Sequence, residues 1–119
     1  VTTVDDAKDP LRLLLGREVS TVRCGRDHVE LHFDGPVLRA SSAPFGRYGC
    51  RGWRFPSPGS VELLRCYVGE VVDACELAPG RFLVLDLGEH RFTVPLDEAS
   101  RPGPEAARLT DGGTGRWVW

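Results

Sequence analysis

Short runs in which apolar and polar residues alternate dominate the chain. Val29, Leu31 and Phe33 alternate with Glu30 and His32, and Val19 and Val22 lie just upstream. That period of two is the signature of a half-buried strand. Phe82-Leu83-Val84-Leu85-Asp86-Leu87 is apolar on nearly both faces and predicts a more central strand. Turn chemistry separates the runs at Gly25-Arg26-Asp27, Asp34-Gly35, Pro79-Gly80 and Gly88-Glu89-His90. Pro36 lacks a ladder donor, which suits the first residue of a strand.

The pattern occurs twice. The first copy runs from Leu14-Leu15-Gly16-Arg17-Glu18-Val19 through 28–33 and Asp34-Gly35 to Val37-Leu38-Arg39-Ala40. The second runs from Tyr67-Val68-Gly69-Glu70-Val71-Val72 through 82–87 to Arg91-Phe92-Thr93-Val94. Gly16 matches Gly69, Val19 matches Val72, Phe33 matches Leu87 and Leu38 matches Phe92. Each copy reads as a three-stranded meander. The apolar segments before them, 10–15 and 60–66, read equally as a helical turn or an early strand. In the tail, Pro104–Leu109 reads as a helical turn, Asp111-Gly112-Gly113 as a break and Arg116–Trp119 as a closing strand.

The expected fold is mainly β with short helices (α+β), two three-stranded meander repeats forming one curved sheet or a small open barrel. One domain spans 1–119, with repeat 1 at about 10–42 and repeat 2 at about 60–97. An Arg/aromatic connecting loop, 43–59, lies between them, and a C-terminal segment, 98–119, follows.

An L-x-G-x-x-V segment followed by V-x-L-x-F-D-G runs over Leu14 to Val19 with Val29 to Gly35, and Tyr67 to Val72 with Leu83 to Gly88 stands at the matching place in the second copy. The tail reads Glu105-Ala106-Ala107-Arg108-Leu109. This pattern resembles small actinobacterial two-repeat β proteins of unknown function, some of them immunity-like. The resemblance covers roughly residues 11–110. It implies a two-repeat β architecture and transfers no catalytic residue.

Composition narrows the classes. The chain has 119 residues, 41% of them apolar and 27% charged, which is ordinary for one globular domain. No apolar run reaches the roughly 18 residues of a membrane helix, so no membrane partner is expected. A net charge of −2 makes no overall electrostatic case for nucleic acid. Lys8 is the only lysine, and Ile, Asn, Gln and Met are absent, the codon bias of a high-GC genome. The start, Val1 to Asp9, lacks the basic and apolar regions of a signal peptide, which points to the cytoplasm. There Cys24, Cys50, Cys66 and Cys75 read first as free thiols, ahead of a disulfide, a metal site or catalysis. None has C-x-x-C spacing, and no metal or cofactor is expected.

Candidate chemistry concentrates between the copies. No acid occurs from Gly35 to Val61, while Arg39, Arg47, Arg51 and Arg54 alternate with aromatics. Arginine forks beside aromatic rings suit a carboxylate-bearing protein partner or a small anionic or planar ligand. Arg47, Tyr48, Arg51, Trp53 and Arg54 are the candidate contacts; the plain alternative is a connecting loop with its arginines in water. A second candidate is His28-Val29-Glu30-Leu31-His32. On a strand the two histidines lie about 13 Å apart and cannot share one ion; one of them with Glu30 could, given a third ligand, and the plain alternative is a solvated polar face. A third is Asp86, a carboxylate in an apolar strand whose burial would raise its pKa, with His90 at the next turn.

Two function classes follow. The first is a cytoplasmic binding, accessory or immunity-type protein that engages an acidic or anionic partner through residues 45–55. The second is a small cofactor-free enzyme of the isomerase, cyclase or lyase type in bacterial specialised metabolism. It would use Asp86, His90 or His32 as acid and base. The residues lean towards the first. Open sheet edges also admit an edge-paired homodimer.

Overall fold

A computed structural model describes residues 10–119; the acidic segment 1–9, read above for the absence of a signal peptide, lies outside them. The chain is mainly β. A 3-10 turn, Pro10–Leu14, precedes β1 (Thr21–Cys24), β2 (Val29–His32), β3 (Val37–Ala40), β4 (Phe45–Tyr48) and β5 (Arg51–Arg54). Helix α1 (Ser60–Arg65) then precedes β6 (Ala74–Ala78), β7 (Phe82–Leu87) and β8 (His90–Pro95). A second 3-10 turn (Glu98–Ser100), β9 (Ala107–Thr110) and β10 (Arg116–Val118) complete the described chain. No described helix is long and apolar enough to cross a membrane.

The strands form two separate five-stranded antiparallel sheets, ordered β1-β2-β3-β9-β10 and β5-β4-β8-β7-β6. This corrects the expectation of one curved sheet or small barrel. The cause is long-range pairing. The β4–β5 hairpin leaves the sheet of β3 and lays β4 against β8, while β9 returns to pair with β3. Inner faces of both sheets feed one core in which Leu31, Phe33, Leu38, Leu85, Phe92 and Leu109 are buried. Each such side chain contributes about 1.5–3 kcal/mol by leaving water.

Three local readings change as well. The stretch 43–59, read as a loop, contains the β4–β5 hairpin, closed by Gly49 at a φ of 61°. The stretch 104–109, read as a helical turn, supplies β9, because Ala107 and Leu109 point inward while Arg108 and Thr110 are half exposed. The open choice at 10–15 and 60–66 resolves to a 3-10 turn and an α-helix. The Asp34-Gly35 turn has the positive φ values of a tight hairpin, 59° and 129°.

The two sheets are tied where 16–19 meets 69–72. Gly16 N–H donates to the Val72 carbonyl at 2.7 Å, and Gly69 N–H to that of Val19 at 2.8 Å. Val19 N–H donates to Glu70 O and Val72 N–H to Arg17 O, each at 2.9 Å.

Gly46 lets β4 approach β8. A Cβ there would strike the backbone carbonyl of Arg91 and stand 2.9 Å from the Trp53 ring. Gly46→Ala is therefore expected to destabilise the fold by about 1–3 kcal/mol through overpacking. Urea denaturation followed by tryptophan fluorescence checks it, and an unchanged midpoint would contradict this account of the contact.

Candidate functional site

The β4–β5 hairpin presents two kinds of side chain because a strand alternates faces. Trp53 faces inward, 7% exposed, and its indole N–H donates to the Tyr67 hydroxyl at 2.9 Å. Phe55, just beyond β5, is buried too. Arg47, Arg51 and Arg54 are exposed and make no ion pair with any described carboxylate. The Arg54 guanidinium lies 5.0 Å over the Phe45 ring, a cation–π contact that holds it to the surface. Of the five contacts proposed from sequence, Arg47 and Arg54 stand on the outer face with Phe45, and Arg51, on the face of Trp53, is exposed at the hairpin tip. Trp53 belongs to the core, and Tyr48 is half buried.

Tyr48 is held by residues that sequence order did not bring together. Its ring stacks on His90 at 3.8 Å between centroids, the planes 3° apart. Its hydroxyl donates to Glu70 Oε2 at 2.8 Å. His90 Nδ1 accepts the Gly49 N–H at 2.8 Å, which places the proton of a neutral ring on Nε2, 3.7 Å from Glu70 Oε2. Nδ1 is thus engaged, and the side chain is only 12% exposed. In this arrangement His90 clamps the hairpin turn and has no lone pair facing solvent.

Asp86 and His90 do not form a pair. Asp86 is in register with Arg91, and Leu87 with His90, so the pleat sends the two candidates to opposite faces of the sheet. Asp86 Oδ1 accepts from Arg91 Nε at 2.8 Å. Asp86 is thus a partly exposed carboxylate in an ion pair.

On the outer face of the first sheet, His32 Nε2 meets Glu30 Oε1 at 3.0 Å and Arg39 Nη1 lies 3.7 Å from Glu30 Oε2. Burial opposes ionisation of Glu30. The hydrogen bond from His32 and the positive charges of His32, Arg39 and His28 outweigh it and hold the carboxyl below its usual value. His28 turns instead to Asp27, at 3.3 Å. Among the described residues no three His, Cys, Asp or Glu side chains converge to hold a metal ion. Cys24, Cys50 and Cys66 are free thiols, and burial pushes the Cys24 thiol up.

The outer face of the second sheet differs. A shallow groove of about 430 Å³ crosses it, floored by Val84 and Thr93 and edged by Phe45, Phe82 and Arg81.

No protein-family model, curated protein or solved structure matches the chain.

Tyr48 and Tyr67 are the chain's two tyrosines, and both hydroxyls are pushed up to about 12. For Tyr48 the hydrogen bond to Glu70 is the main cause, with burial and the Glu70 charge adding. For Tyr67 the main cause is burial. From the ordinary value of 10 up to about 12, an unfolded chain loses these protons and the folded chain keeps them. Their contribution to stability is full below pH 10 and disappears as pH rises through that window. In an alkaline titration tyrosinate absorbance should rise together with loss of near-ultraviolet circular dichroism. Tyrosinate forming well before unfolding would overturn the assignment.

Proposed function

We propose that the chain is a binding protein, of an accessory or immunity type, that recognises an acidic or anionic partner through the β4–β5 hairpin. One observation carries this reading. Three exposed guanidinium groups stand on one hairpin with no carboxylate among the described residues to neutralise them, in a chain whose net charge is −2. The hairpin is also rigid, since Trp53, Phe55 and the His90–Gly49 contact anchor its inner side. A preorganised cation loses little freedom when a partner arrives. The enzyme reading draws less support, because His90, Asp86 and His32 each already engage a neighbouring side chain or backbone group.

We further propose that the chain is a duplicated unit of helical turn, meander and hairpin, as its resemblance to two-repeat proteins implies. Two pairs of hydrogen bonds support this. Under the match of Gly16 with Gly69, the bond Gly16 to Val72 exchanges with Gly69 to Val19, and Val19 to Glu70 with Val72 to Arg17. Each meander is completed by the hairpin that follows the other.

The probe is a fluorescently labelled oligoglutamate peptide, titrated at low salt. The native chain should bind it with an affinity that falls as salt rises. Arg47→Ser with Arg51→Ser should weaken binding about tenfold, at roughly 0.5–1 kcal/mol for each exposed pair. The melting temperature should stay unchanged. Undiminished binding by this double variant would remove the hairpin from the interface.

A further inference from the structure

We infer that the outer face of the second sheet is a self-association surface, on which a second copy of this chain packs face to face. This goes beyond the recognition reading: of its three arginines the dimer engages Arg54 and leaves Arg47 at the rim and Arg51 at the hairpin tip. The ladder register aligns one residue from each strand in a row across the face: Arg54, Phe45, Thr93, Val84, Glu76. The centre is uncharged, one end is a cation and the other an anion. Arg54 and Glu76 are exposed, and neither makes an ion pair among the described residues.

That row is complementary to itself. Arg54 and Glu76 each lie two strands from β8, roughly 9.6 Å on either side. A two-fold axis along β8 through Thr93 exchanges β5 with β6 and β4 with β7. It sets Arg54 against Glu76 of the second copy, at both ends, and Phe45 against Val84 of the second copy. The strands of the two copies then run in nearly the same direction, the aligned class of sheet packing. The alternative axis, across the strands, would set arginine against arginine.

The neighbouring row towards the base of the hairpin adds Pro95 and Phe82, and Phe82 is half buried. The row towards the tip, with Arg47 and the Arg91–Asp86 pair, lies at the rim. Both tips emerge on the same side of such a dimer, so the assembly presents two arginine hairpins together. Five strands and about six residues of strand length give a footprint of roughly 24 by 20 Å. Over two copies this is about 1,000 Å², the lower limit of a specific interface, so the dimer is weak and depends on concentration.

The equivalent row on the first sheet reads Arg23, Glu30, Arg39, Arg108, Val118. It has no uncharged centre, and its acid is already engaged by His32 and Arg39. The self-complementary pattern belongs to the second sheet.

Sedimentation equilibrium from micromolar to millimolar protein tests this. The native chain should show a monomer–dimer equilibrium. Arg54→Glu and Glu76→Arg should each weaken it about tenfold or more, because each sets like charges against one another. Mixing the two variants should restore a heterodimer of native affinity, since both end pairs are then opposite again. Arg23→Glu, on the other sheet, should change nothing. A native chain that stays monomeric throughout overturns the inference. So does a dimer indifferent to both reversals, as one paired through sheet edges would be, and so does a mixture that stays monomeric.

Discussion

The Tyr67 hydroxyl is the point on which the arrangement of the second sheet turns. Tyr67 follows α1 and is fully buried, so its polar atom must find partners inside the protein. It accepts the Trp53 indole N–H at 2.9 Å and donates to the Arg91 carbonyl at 2.8 Å, with the Arg47 carbonyl at 3.2 Å. One oxygen thereby joins the helix to β5, β8 and β4. Its ring meets Tyr48, Trp53 and Phe92 edge-on at 5.2 to 6.3 Å, a geometry that aromatic rings favour. Losing the hydroxyl would leave a buried indole donor unpaired, at a cost of about 1–3 kcal/mol. The hairpin's outward charges keep their places because this inward side is fixed.

Most strands were legible in the chain because strand formation leaves a local signal. Val29, Leu31 and Phe33 alternate with polar neighbours, and Asp34-Gly35 is turn chemistry readable by itself. The partition into two sheets was not legible. It depends on β4 choosing β8 rather than β3, and on β9 choosing β3, pairings between segments far apart in sequence. Gly46 did carry a hint. A residue without a side chain inside an alternating run marks a place where another backbone comes close, and here that backbone is Arg91. The tail misled for a related reason. Glu105-Ala106-Ala107-Arg108-Leu109 has good helix formers, yet β3 offers an open ladder and takes Ala107 to Thr110 as a strand.

The site was legible in its charges and not in its partners. An acid-free stretch with alternating arginines was visible at once, and Arg47, Arg51 and Arg54 are exposed. Which aromatics stand with them follows from pleat parity, and parity needs a known strand start. With β5 beginning at Arg51, Trp53 faces the core and Arg54 faces water. The same parity separates Asp86 from His90, although four positions in a chain suggest proximity. Glu70, which receives the Tyr48 hydroxyl, could not be found this way. It arrives through the 16–19 and 69–72 contact, a junction between halves of the molecule.

The two outer faces show what freedom this scaffold leaves. Inner positions are constrained by a shared core, whereas outward positions are constrained only by solubility and partners. On the first sheet the outward row is charged and its acid is satisfied within the face. On the second sheet the outward row has an uncharged centre, with Val84 and Thr93 each 7% exposed beneath the side chains of their neighbours. Arg54 lies over Phe45 and Arg81 over Phe82, so two guanidinium groups cover the aromatic rings in the single chain. Such a cover keeps an apolar strip soluble, and it can be moved aside because a surface cation–π contact is worth only about 0.5–1 kcal/mol. A charge that shields an apolar surface in water and pairs with an opposite charge when that surface is covered serves both states. That double use accounts for arginines without ion pairs beside an apolar groove better than solubility alone, for which any charged side chain would do.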